Sequence, residues 1–203
     1  MKKIFILFAV VLLGGCIGGA RNAPPVVVYD FGLPAARLFT DGRWSGLALE
    51  VRSPSWFDAP NVDYRLAYAD QKMPREYSGS RWADAPGVLL AQLLRQQLGV
   101  ARVGGSATID CLLKVELQEF SQIFDSPQQS RGVVQGSVRL IDAKRQLVGE
   151  WQMTIEIPAA SPDAQGGVNA LVAASSEFGR QLADWLLALG KDKAIKSCRA
   201  GQA

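Results

Sequence analysis

The chain has no histidine among its 203 residues. That removes the commonest general base and the commonest metal ligand together. Only three cysteines are present, Cys16, Cys111 and Cys198, and none forms a pair at zinc-binding spacing. No serine stands in a G-x-S-x-G elbow, and neither a phosphate-binding P-loop nor a G-x-G-x-x-G turn occurs. Acidic pairs such as Glu116/Glu119 and Glu150/Glu156 lie on strand-like segments, where they read as solvent-facing charges. The expectation is a protein without catalytic residues, metal or cofactor. Net charge is small too. The net charge is +3, and without Lys2 and Lys3 it is +1, from 20 basic and 19 acidic side chains. A near-neutral chain with no basic block gives no electrostatic reason to bind nucleic acid or an anionic lipid surface. No apolar run approaches the roughly 20 residues needed to span a bilayer.

What the chain does have begins at residue 1. Lys2 and Lys3 precede an apolar run from Ile4 to Leu13, and Gly14-Gly15-Cys16 follows. A basic start, a short apolar core and small residues before a cysteine are the layout of a cleaved export signal with a lipidated cysteine. Residues 1–15 are therefore expected to be removed, leaving 188 residues held to a membrane by acyl chains on Cys16. More than one chain is needed for lasting attachment. Ile17 follows Cys16; no aspartate there argues for inner-membrane retention, so the expected address is the periplasmic face of the outer membrane. Residues 16–25 read as the lipidated cysteine and a short Gly/Pro tether, 26–190 as one domain, and 191–203 as a flexible tail. Export permits disulfides. Burial trends favour two separate thiols at Cys111 and Cys198, with a bridge as the alternative.

Periodicity then organises the domain. Residues 26–31, 47–51, 64–68 and 76–81 read as short strands, with a turn at Met73-Pro74. Asp84 is a candidate N-cap for a helix whose apolar face is Leu89, Leu90, Leu93, Leu94 and Leu98, stopped by Gly99. Three longer alternating strands follow. Ile109, Cys111, Leu113, Val115 and Leu117 share one face; so do Val134, Val138 and Leu140, and then Leu147, Trp151, Met153, Ile155 and Ile157. A last helix runs from Val168 to Leu189 with Trp185 on its apolar register. Trp151 and Trp185 are expected in the core. The predicted class is α/β: a single-domain sandwich, a mixed but largely antiparallel sheet with two main helices packed on it.

The segment 51–98 resembles the ABC-type transport auxiliary lipoproteins, the family that includes paraquat-inducible protein C. The resemblance is carried by an extended region from Asp58 to Tyr64-Arg65, by Tyr77, by Arg81-Trp82-Ala83, and by Pro86 with the Leu-rich helix from Leu89 to Leu98. It implies an accessory lipoprotein of a lipid-transporting ABC system whose other parts are a permease, an ATPase and a mammalian-cell-entry (MCE) domain protein. Docking to the MCE protein is the implied role, and some relatives form homo-oligomeric rings. Interfaces favour aromatic residues and arginine, so Trp56, Phe57, Tyr77, Arg81 and Trp82 are the expected partner-binding residues. Trp44 and Tyr68 are further candidates. The rival expectations are a direct lipid carrier, which needs an apolar cavity, and another envelope-assembly lipoprotein, such as a cell-wall synthase activator or a lipopolysaccharide export helper.

Overall fold

The computed structural model describes residues 25–34, 36–42, 44–55, 58–104, 110–190 and 198. Cys16, Trp56 and Phe57 lie outside them. Eight strands form one mixed sheet built around β6 (Cys111–Ser126), the longest strand. One edge of β6 pairs antiparallel with β7 (Gln129–Ile141), which pairs antiparallel with β8 (Leu147–Pro158). The other edge is shared. Its first part takes β2 (Leu47–Arg52) in parallel, with the two-residue β5 (Ala101–Arg102) outside it. Its last part takes β3 (Asn61–Leu66) in parallel, followed by β4 (Gln71–Trp82) antiparallel and β1 (Val27–Tyr29) parallel. The sheet is therefore forked on that side. The longest pairings are antiparallel, as the alternating strands require, and the predicted α/β class holds.

Two long helices, α2 (Pro86–Leu98) and α3 (Ala164–Leu189), pack on the sheet and against each other; α1 (Ala67–Asp70) is a single turn between β3 and β4. Leu90, Leu94, Leu171, Phe178, Leu182 and Leu186 are fully buried between helices and sheet. At about 25 cal/mol per Å² of apolar surface, this layer is the main stabilising contribution. Gly132 of β7 lets α3 lie close, since a Cβ there would stand 2.7 Å from the backbone of Ala170 and Leu171. The opposite face of the sheet carries charge ladders. Arg139 pairs with Glu116 and reaches Glu150; Arg131 pairs with Asp125 and Glu156; Glu50 pairs with Arg52. Glu150 and Glu156 are exposed, as expected.

Several boundaries depart from the sequence reading. The third strand spans 61–66 rather than 64–68, because α1 turns the chain after Leu66. No turn forms at Met73-Pro74. β4 runs straight through Pro74, where it is the outer strand of its branch, and an edge tolerates a residue with no N–H to give. The N-cap of α2 is Ala85; the Asp84 carboxylate instead accepts the Ala85 N–H at 2.7 Å. The last helix starts at Ala164, one turn before Val168, because Asp163 caps it by accepting the Gly166 N–H at 2.7 Å. Leu147 is 57% exposed. A register shift between β7 and β8 near Leu140/Ile141 takes it off the buried face. Trp151 and Trp185 sit at the core margin, half-buried, with ring centroids 6.1 Å apart.

The two-thiol reading of Cys111 and Cys198 is overturned. They form a disulfide with Cα atoms 5.2 Å apart and a sequence separation of 87. The bridge ties Cys198 to the first residue of β6, where Cys111 pairs with Leu47.

Candidate functional site: a pocket in the fork of the sheet

The fork leaves a gap. β2 stops pairing with β6 at Arg52↔Glu116, and β3 begins at Tyr64↔Gln122. Along Leu117–Ser121, β7 covers one edge of β6, and among the described residues no strand covers the other. A register shift between Leu117 and Glu119 marks the same place. Before it the odd residues of β6 are buried; after it the even residues Phe120, Gln122 and Phe124 are, together with Ser121 on the pocket side. Glu119 partly satisfies the open edge itself, its carboxylate accepting the Phe120 N–H at 3.2 Å.

A pocket of about 250 Å³ fills the gap, lined chiefly by Asn61, Asp63, Arg65, Glu76, Glu119 and Ser121. Arg65 donates from Nε to Glu119 at 2.9 Å and from a terminal nitrogen to the Gln71 carbonyl at 3.3 Å. Both side chains of that ion pair are mostly buried, so Glu119 is not the solvent-facing charge it resembles in sequence. Asn61 donates to Glu76 at 2.6 Å. Asp63 is left without such a donor among the described residues. Burial, reinforced by the charges of Glu76 and Glu119 and opposed by Arg65, pushes its carboxyl up to about 6.

A raised carboxylate pKa favours the protonated folded state, so the stability it contributes is complete below the ordinary value of 3.8 and is lost as the pH rises through about 6. Asp63→Asn keeps the group neutral at every pH. The variant is expected to be more stable than the parent at pH 8, by about 1 kcal/mol once solvent screening is allowed for, and equal to it at pH 4. Thermal melts at both pH values check this; the same offset at both would contradict it.

On the other face, under the start of α3, lies a buried polar chain. The Tyr77 hydroxyl donates to Gln122 at 2.8 Å, and Gln122 donates to the Ser130 hydroxyl at 2.8 Å. A Cβ at Gly167 would stand 2.1 Å from Gln122 Oε1, so a larger residue there would displace the amide that links Tyr77 to Ser130. Burial and the neighbouring Tyr64 and Asp163 raise the Tyr77 hydroxyl to about 12, which keeps it a donor. Its ring lies 4.6 Å from that of Tyr64.

The expected partner-binding residues thus divide. Tyr77 is half-buried and engaged in the polar chain. Trp82 is 1% exposed and packs edge-on against Phe31 and Phe120, both at 5.6 Å. It is a core residue, and so is Trp44. The alternation of β4 turns Trp82 inward and leaves Arg81 exposed. Tyr68 is exposed on α1. Asp63, Glu119 and Ser121 escaped the sequence reading because their significance depends on the fork, which brings positions 63 and 119–121 together across a long separation in the chain.

No family model and no curated protein matches the chain. Solved structures do. A Xanthomonas campestris protein described by the family model DUF330 is 16% identical, with a TM-score of 0.69 over 84% of this chain and 100% of that one. A second protein, described as uncharacterized, is 15% identical, with a TM-score of 0.62 over 80% and 99%. A candidate lipoprotein from Caulobacter crescentus is 15% identical over 73% and 94%, but its TM-score of 0.41 is too low to argue from. At these identities the first two establish the fold alone: this chain shares the mixed α/β architecture of the DUF330 protein.

Proposed function

We propose that this chain is a lipid-anchored envelope protein, held by Cys16 at the periplasmic face of the outer membrane, that serves as an accessory lipoprotein of an MCE-linked ABC lipid transport system. The observation that carries the anchoring is the run Lys2-Lys3, Ile4 to Leu13 and Gly14-Gly15-Cys16. The Cys111–Cys198 disulfide supports it, because such bonds persist in oxidising compartments such as the periplasm. Among the described residues no helix is long and apolar enough to cross a membrane, which leaves the acyl chains as the attachment in this reading. The transport role rests on the resemblance across 51–98. A docking role is favoured over direct lipid carriage by the solid layer of Leu90, Leu94, Leu171 and Phe178, where a carrier needs a hollow. Arg81 and Tyr68 are the exposed members of the candidate contact set, and Trp56 and Phe57 remain proposals from sequence.

The test is a crosslinking pull-down from native envelopes with a C-terminally tagged, lipidated chain, read by mass spectrometry. Recovery of an MCE-domain protein together with permease and ATPase is expected. Recovery of only the chain itself, of cell-wall synthases or of lipopolysaccharide-export proteins would overturn the transporter assignment.

A further inference from the structure

We propose that the pocket in the fork of the sheet binds a single organic cation carrying N–H donors, an alkylammonium or alkylguanidinium head. The proposal is independent of the transport reading. Three observations converge on it. The Ser121 hydroxyl belongs to a residue 1% exposed, lines the pocket and has no hydrogen-bond partner. A buried hydroxyl left unpaired is costly, and its oxygen is an acceptor waiting for a donor. The pocket also holds an uncompensated negative charge. Of its three carboxylates, Glu119 is paired with Arg65, while Glu76 has only the neutral Asn61 amide and Asp63 has no donor. Arg75 borders the pocket too, but it pairs with Tyr64 and so points to the opposite face from Asp63, which leaves Arg65 as the cation on the pocket's side and a balance of −2 among Asp63, Glu76, Glu119 and Arg65. A monovalent cation offsets half of it.

The third observation is the shape. The missing strand opposite Leu117–Ser121 leaves room for a small head group at the side of β6. A metal ion fits less well, because among the described residues no three acidic, cysteine or histidine side chains are placed to hold one. An ammonium or guanidinium supplies several donors at once, enough for Asp63, Glu76 and the Ser121 oxygen.

Binding drives Asp63 to its ionised form. The groups facing that carboxyl are Glu76 from β4, Glu119 from β6, and Arg65 from its own strand. The experiment is isothermal titration calorimetry on the detergent-solubilised full mature chain, using ethylammonium and methylguanidinium, in buffers of differing ionisation enthalpy. The expected result is saturable binding at roughly millimolar concentration. At pH 6 it releases about half a proton per site, and at pH 8 almost none. Asp63→Asn abolishes it, and Ser121→Ala weakens it about tenfold, with thermal melts confirming that both variants fold. Capped lysine run beside the free amines separates the sources: binding by both assigns a side chain as a ligand, and binding by the free amines alone assigns a small molecule. No saturable heat from the parent, equal binding by Asp63→Asn, or equal binding by sodium or tetramethylammonium, which lack N–H donors, would overturn the proposal.

Discussion

Trp82→Ala is expected to destabilise the folded chain by about 3–5 kcal/mol, the range for deleting a buried large aromatic side chain. The ring is 1% exposed and wedged between Phe31 and Phe120, whose own rings lie 6.1 Å apart. These three residues come from the segment after β1, from the end of β4 and from the middle of β6, so the cavity would loosen the branch that frames one side of the fork. For a domain of this size each kcal/mol lowers the melting temperature by about 2–4 °C, so a fall of roughly 10 °C is expected. The neighbouring exposed Arg81→Ala should stay within about 0.5 kcal/mol of the parent. Melting the two variants side by side checks this. Equal stabilities would return Trp82 to the surface and to the list of partner contacts. The pair also guards against a false reading of binding assays, since a Trp82 variant that fails to dock has first failed to pack.

The second large effect belongs to the disulfide. A cross-link between positions 87 apart in sequence restricts the unfolded chain, and the chain-entropy relation puts its contribution at about 4–5 kcal/mol, with measured bridges more often giving about 2–4. Replacing Cys111 and Cys198 together by alanine should therefore lower the melting temperature by roughly 10 °C. Mild reduction of the parent should reproduce the loss, and the double variant should ignore reductant. A parent whose melt is indifferent to reductant would show that the bridge contributes nothing.

The sequence made some of this fold legible, and its failures have physical causes. Alternation works where a strand has one wet face and one dry face, so Cys111 to Leu117 and Val134 to Leu140 sit as their pattern requires. It cannot anticipate a bulge. At Gln118 the buried face of β6 passes from odd to even residues, and a strict alternation read past that point would assign Phe120 to solvent. Pro74 looked like a turn because proline usually breaks strands; only the knowledge that β4 is an outer strand there makes it tolerable. Trp82 looked like an interface residue because an aromatic between an arginine and a helix start fits that role equally well, and the turn that points it inward is set by β3 and β1 on either side. The fork pocket was invisible for a further reason. Asp63 belongs to β3 and Ser121 to β6, and nothing local in either segment says that a third strand stops short between them. The bridge between Cys111 and Cys198 depends in the same way on where the last helix delivers the chain.

The central claim is attachment to a membrane through Cys16, and the most direct test is the mass of the N-terminal peptide from protein extracted from the membrane fraction of cells. The account predicts a peptide that begins at Cys16, lacks residues 1–15, and carries the added mass of a diacylglyceryl group and an N-linked acyl chain, with Cys16→Ser abolishing both the cleavage and the acyl mass. A peptide that begins at Met1, or an unmodified Cys16, would contradict it and remove the basis for an envelope role.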